Sequence, residues 1–224
     1  MNRAVFLVDG FNLYHSVVDA QEDNGGICVK WLDVHRLCLS FFDKVGAIVR
    51  DQVKMECIHY FSASPGHCPP DTRSRHGFYM RCLRGSGIRV HLGSFKGKVV
   101  KCRHCNRESL HHEEKETDVA IAAKLFELCH SGAVDSFVLV TGDTDLVPAV
   151  KTCRTLFPKV YVFCVFPYHR VNDDLRRFSH RAFKLTRDNY LTNQYPSPLR
   201  LRDGTMVNRP TAWDPPPSPA TQTT

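Results

Sequence analysis

The sequence predicts an α/β domain in three layers around a mostly parallel central sheet. Three observations point there: short apolar runs recur along most of the chain, the intervals between them are long enough for crossover helices, and 224 residues with 42% hydrophobic content suffice for one core. The strand-like runs are Ala4 to Val8, Val53 to Phe61, Ile88 to Leu92, Phe137 to Val140 and Val160 to Phe166, with a last short strand near Ala182 to Leu185. Helices are predicted over Trp31 to Phe42, Thr72 to Arg84, Asp118 to Cys129, Leu146 to Leu156 and Asp173 to Ser179. Alternation of the two kinds of segment favours parallel strands with helices on both faces. The domain is placed at residues 1–190, with a small hairpin insertion over residues 96–114 and a tail over residues 191–224. From Tyr195 onward seven prolines fall in 30 residues among polar Thr and Ser. Such a stretch buries too little apolar surface to fold alone and is expected to be extended or disordered, available to a protein partner.

The N-terminal apolar run is too short for a signal peptide and ends in the charged Asp9, and no later run approaches the roughly 20 residues of a membrane span. Seven of the ten cysteines (Cys28, Cys38, Cys57, Cys82, Cys129, Cys153 and Cys164) stand singly in apolar or periodic segments, where free Cys acts as a small hydrophobe. These features predict a reducing, cytoplasmic setting without membrane attachment.

The formal net charge is +7, and its distribution is uneven. Ten Lys or Arg and no Asp or Glu lie between Thr72 and Arg107. Arg73, Arg75, Arg81, Arg84, Lys96, Lys98, Lys101 and Arg103 are the residues expected to contact a nucleic-acid backbone, against the plainer reading of a solvated face. A second group, Arg170, Arg176, Arg177, Arg181, Lys184 and Arg187, is diluted by Asp173 and Asp174. Phe11, Tyr14 and Phe95 are candidates for stacking on bases, with at least two of them expected in the core.

Two predicted strands end in acid. One reads Val5-Phe6-Leu7-Val8-Asp9-Gly10-Phe11-Asn12, the other Val138-Leu139-Val140-Thr141-Gly142-Asp143-Thr144-Asp145. In an open parallel sheet ligands bind beyond the carboxyl ends of the strands, where strand order reverses, so neighbouring strands would bring Asp9 and Asp143 to one crevice. Asp118 opens a predicted helix leading to the same edge. Carboxylates about 4 Å apart repel by roughly 4 kcal/mol per pair at an effective dielectric near 20, so such a cluster calls for a hard divalent cation, Mg²⁺ or Mn²⁺. Set against this, Asp143 or Asp145 could simply cap the following helix, and Asp118 could be a first-turn acid favoured by the helix dipole.

The stretches Val8 to Tyr14, Glu114 to Ala122 and Val140 to Val150 together resemble, in order, the three signature blocks of NYN-domain proteins, a LabA-like branch of the PIN-like nuclease superfamily. The resemblance covers about Arg3 to Arg187. It implies a Rossmann-like fold and a metal-dependent ribonuclease, with Asp9, Asp118 and Asp143 holding Mg²⁺ or Mn²⁺, Asn12 steadying them and Asp145 as a further catalytic contributor. It also implies hydrolysis to 5′-phosphate and 3′-hydroxyl ends, acting on single-stranded or structured RNA, in the manner of an endonuclease. The chain departs from the pattern near its end, where many relatives carry an acid and this sequence has His180. A non-catalytic RNA-binding or regulatory protein and a single-stranded DNA nuclease are the alternatives.

Cys102-Arg103-His104-Cys105, followed by His111 and His112, has the spacing of half a zinc knuckle, with Cys102, Cys105 and His111 as ligands. The fourth ligand is open among His104, His112, Glu113, Cys68 and His67. Without zinc the segment is a solvated hairpin carrying two thiols.

Overall fold

The computed structural model of the chain describes residues 1–101 and 103–214, and the side chains of residues 110–113 stand outside that description. The first strand, β1 (Asn2–Asp9), runs directly into helix α1 (Gly10–Glu22), followed by α2 (Val34–Leu39), α3 (Phe42–Val49) and β2 (Val53–Ser64). Helix α4 (Pro70–Gly85) leads to β3 (Arg89–Lys101) and β4 (Glu108–Lys115), and α5 (Thr117–Ser131) to β5 (Ser136–Val140). After a 3₁₀ turn at Thr144–Leu146 come α6 (Val147–Leu156), β6 (Tyr161–Phe166), α7 (Asp173–Phe178), β7 (Arg181–Lys184) and α8 (Arg187–Thr192). A small ribbon of β8 (Leu199–Arg200) and β9 (Met206–Val207) and a 3₁₀ turn at Thr211–Trp213 complete it.

Among the described residues seven strands form one sheet in the order β4-β3-β2-β1-β5-β6-β7, parallel throughout except for the antiparallel β3–β4 hairpin. The order reverses at β1: the chain proceeds outward through β2 and β3, then returns to lay β5 on the other side of β1. Helices cover both faces, and strand periodicity divides the core accordingly. Phe6 and Val8 of β1 pack with Leu13 and Val17 of α1 and Met80 and Leu83 of α4. Val5 and Leu7 face the other way, toward Ile121 and Leu125 of α5 and Val150 of α6.

The predicted α/β class, parallel sheet and hairpin insertion are thus found, with corrections in detail. The expected helix at Trp31 to Phe42 is two helices separated at Ser40 and Phe41. The expected strand at Ile88 to Leu92 continues to Lys101 because it pairs with β4 from Ser94 onward. The tail from Tyr195 is not extended or disordered as far as Asp214: Tyr195, Leu199, Leu201 and Val207 are buried with Trp31 and Cys82, and Phe78, Tyr79 and Trp213 pack against them. Apolar side chains spaced through the proline-rich stretch cannot build a core of their own, but they cover an aromatic surface the domain already presents. Residues 215–224 of the expected tail lie outside the described residues.

Candidate metal centre and nucleic-acid interface

Asp9 ends β1 on the face shared with Val5 and Leu7, which is the face α5 covers, and Asp118 sits in the first turn of α5. The parallel register Val8↔Val140 sets the end of β1 beside the end of β5, and Asp143 follows three residues later. Asp9, Asp118 and Asp143 therefore meet at the switch point of the sheet, with one carboxylate oxygen of each within 4.8 Å of the others.

The approach depends on two glycines. A Cβ on Gly10 would lie 2.4 Å from the Tyr60 ring, and one on Gly142 would lie 1.8 Å from the carbonyl oxygen of Arg170. Hydrogen bonds then fix the carboxylates. The Asn12 backbone N–H donates to Asp9 Oδ1 at 2.9 Å, and the Thr141 hydroxyl donates to Asp9 Oδ2 at 2.9 Å. Thr141 Oγ1 in turn accepts from the Asp143 N–H at 3.1 Å. Asn12 Oδ1 accepts from the Gly142 N–H at 3.1 Å, tying α1 to the β5 loop. Asn172 Nδ2 donates to the Gly142 carbonyl at 3.1 Å from the other side.

The three acids border a cleft of about 330 Å³, whose other walls are Phe11, Asn12, His15, Glu114 and Arg170. Asp9 is 4% exposed. Burial, then the charges of Asp143 and Glu114, raise its pKa to about 6 against the pull of its hydrogen bonds, and burial with the charges of Asp143, Asp9, Glu114 and Asp145 raises Asp118 to about 6. Among the described residues no Lys or Arg forms an ion pair with any of the three. Arg170 borders the cleft but its guanidinium is engaged by Asp19 at 2.8 Å. A carboxylate cluster in which Asp9 and Asp118 titrate abnormally high, with no Lys or Arg paired to it among the described residues, fits a hard divalent cation by charge and donor type.

Asp145 is exposed on the 3₁₀ turn, where its N–H donates to Asp143 Oδ1 at 3.0 Å; it stands outside the three-aspartate set. His180 is not among the residues that border the cleft. Its Nδ1 accepts from the Val162 N–H at 2.9 Å at the β6–β7 edge, and the cleft takes its fourth carboxylate from Glu114 on β4. Glu114 opens the second of the three family-like sequence blocks, but it reaches the cleft through the β3–β4 pairing; the Thr117 hydroxyl donates to it. Nothing in their spacing marks Thr141 and His15 for this site, and Arg170 stood out only as one of the second basic group.

The predicted cationic set divides. On α4, Arg73, Arg81 and Arg84 are exposed while Arg75 is half-buried beside a second cavity; on β3, Lys96, Lys98 and Lys101 are exposed, as is Arg103 in the turn. Lys96 pairs with Glu116 at 3.8 Å, two residues before Asp118, which places that end of the β-hairpin beside the cleft. The expectation that at least two of Phe11, Tyr14 and Phe95 are core residues is overturned: Phe11 and Tyr14 are exposed by 37% and 48%, and Phe95 is half-buried against Phe11 and His67. For the zinc ligands, Cys102 and the side chain of His111 lie outside the described residues, and Cys105 is an exposed free thiol.

Residues 3–186 match the NYN domain family, and the chain belongs to it, a family of PIN-like nuclease domains. The chain is 26% identical over 215 residues to 6-hydroxy-3-succinoylpyridine 3-monooxygenase HspA of Pseudomonas putida, an alignment that takes in 80% of this chain. It spans 65% of the length of that relative. A solved protein of unknown function from Vibrio parahaemolyticus has a similar fold, with a TM-score of 0.51 and 18% identity over 84% of this chain and 94% of that one. No helix among the described residues is long and apolar enough to cross a membrane.

Proposed function

We propose that the protein is a metal-dependent endoribonuclease that hydrolyses phosphodiesters in single-stranded or structured RNA at the Asp9–Asp118–Asp143 cleft. The observation that carries this reading is the convergence of three carboxylates from β1, α5 and the β5 loop at the sheet's switch point in a member of a nuclease family. Bound Mg²⁺ or Mn²⁺ would supply neutralisation of the phosphodiester's charge and activation of water there. The chain's own residues then do the positioning. Asp9 is held by Asn12 and Thr141 so that its carboxylate needs no reorganisation, and Asn12 locks the loop that carries Asp143. Phe11 shapes the rim. The exposed cations of α4 and β3 would hold the RNA backbone beside the cleft. A structural zinc at Cys102, Cys105 and His111 would brace the hairpin that carries Lys96, Lys98 and Lys101.

The test is cleavage of labelled RNA and DNA oligonucleotides with Mn²⁺ and with chelator. Asp9→Asn and Asp143→Asn are expected to lose at least about 10²-fold in activity while retaining the wild-type circular dichroism spectrum. Undiminished cleavage in both variants would refute the assignment. A second reading rests on the curated relative: its name describes oxygen insertion into a pyridine derivative, and an aromatic cavity of about 400 Å³ adjoins the cleft. Oxygen consumption with that pyridine and a reductant, in the absence of RNA cleavage, would favour it.

A further inference from the structure

Beside the acidic cleft, and sharing Phe11 with it, opens a cavity of about 400 Å³ between α1, α4 and the start of the hairpin. Its size is that of small-molecule sites, about 300–1,000 Å³. Aromatic rings dominate its walls. Phe11 meets Phe95 edge-on at 5.8 Å between centroids, and Phe95 meets His67 at 4.6 Å. Below them lie Tyr60 and Tyr79, whose hydroxyls are spent on backbone carbonyls of Gly10 at 3.3 Å and Leu32 at 2.7 Å, so the floor is rigid and presents ring rather than hydroxyl. Trp213 closes the far wall, edge-on to Tyr79 at 6.0 Å and tilted on Trp31 at 6.1 Å. Polar groups are few: Ser62 with His76 Nε2 at 3.4 Å, Thr72, and the cations Lys30 and Arg75.

A ligand suited to these walls is planar and aromatic, carries a few hydrogen-bonding edges, and is joined to something anionic that Lys30 and Arg75 attract. Because Phe11 borders both cavities, that ligand is expected to be attached to the group held at the aspartates. We propose that the second cavity is a nucleobase subsite, taking one base unstacked from a single strand whose neighbouring phosphodiester lies in the acidic cleft. The proposal rests on the nuclease reading above and adds a specificity device to it. Base unstacking costs least in strands already single. The device also uses the C-terminal segment, since Trp213 lies beyond the residues 3–186 that match the family.

The experiment uses the full chain, Mn²⁺ and fluorescent hexaribonucleotides in which each position in turn is abasic. Removal of one base flanking the scissile phosphate is expected to raise KM about tenfold or more, with little effect elsewhere. Phe95→Ala and, independently, Trp213→Ala are expected to raise KM on the intact strand to the wild-type value on the abasic one and to become indifferent to that base. Equal sensitivity at every position, or variants that keep the wild-type base dependence, would overturn the subsite. If no strand is cleaved, the nuclease reading fails, and the same hexamers measured by fluorescence anisotropy decide the cavity separately. A position-specific abasic penalty that depends on Phe95 and Trp213 upholds it; a uniform penalty or none overturns it.

Discussion

Asp9 shows how one residue can be stabilising for function and destabilising for the fold. Its carboxyl titrates near 6 instead of 3.8 because it is buried among other acids. Between those values the folded chain holds a proton that the unfolded chain has released, so this group's contribution is favourable at low pH and is lost as pH rises through 6. Two pH units correspond to about 2–3 kcal/mol. Without metal, Asp9→Asn is therefore expected to be more stable than wild type at pH 7.5, with the gap closing toward pH 5 in urea titrations. Saturating Mn²⁺ should reverse the order at pH 7.5 by binding only the wild-type carboxylates. The comparison between the two proteins matters because His59, lowered to about 4 by burial and by His91, works oppositely: it costs stability as pH falls below about 6.5. A variant that is no more stable than wild type at any pH would mean that Asp9 carries no such strain. Gly142 is constrained by space rather than charge. With the Arg170 carbonyl 1.8 Å from where a Cβ would sit, Gly142→Ala must displace backbone, and a loss above about 3 kcal/mol is expected from the same titrations. A loss below 1 kcal/mol would show that the β5 loop yields easily.

At the level of elements, the sequence was most readable where strands are buried on both faces. β1, β5 and β6 are continuous apolar runs because helices cover them on both sides, and the acids that end β1 and follow β5 stood out for the same reason. α1 went unread because the cavity-lining residues Phe11, Asn12, Tyr14 and His15 interrupt its apolar stripe of Leu13, Val17 and Ala20. β4 was legible only as the return arm of the predicted hairpin, without its own strand signal, because its sequence, Glu108 to Lys115, is almost wholly charged or polar and it forms by pairing with β3. Long-range pairing of this kind leaves little local signal, and with it Glu114 was lost from the predicted site. The proline-rich segment failed for a different reason. Its composition argues correctly against independent folding, but Tyr195, Leu199, Leu201, Val207 and Trp213 of that segment help to bury Trp31, which the domain presents. A chain ending at Gln194 would expose that aromatic surface. It is expected to lose about 10 °C in melting temperature and to bind a hydrophobic dye; an unchanged melting curve would mean the segment is merely laid on the surface.

Across the whole molecule, opposite charges are kept apart by topology rather than by sequence distance. The acids collect at the carboxyl edge of the central strands β1 and β5, where the strand order reverses. The cations lie on α4 and on the hairpin at the far end of the strand order, and the Lys96–Glu116 contact is where the two regions meet. A polyanion would be drawn by the basic side and deliver a phosphate to the acidic one only with a divalent cation present, since the cleft alone repels it. Binding and cleavage should then depend on ions in different ways. With chelator present, affinity of the Asp143→Asn protein for single-stranded RNA is expected to fall with salt at a slope of log affinity against log salt near −3.5 for about five phosphate contacts, roughly 0.7 per contact. Replacing Lys96 or Lys98 with Gln should flatten the slope by about 0.7 each, because both are exposed and, two residues apart on β3, project from the same face of the hairpin. Replacing Arg176, next to Asp173 at 3.1 Å and remote in the strand order from the hairpin, should leave it unchanged. If the slope is flat, or moves as much with Arg176 as with Lys96, net charge and not this face draws the strand.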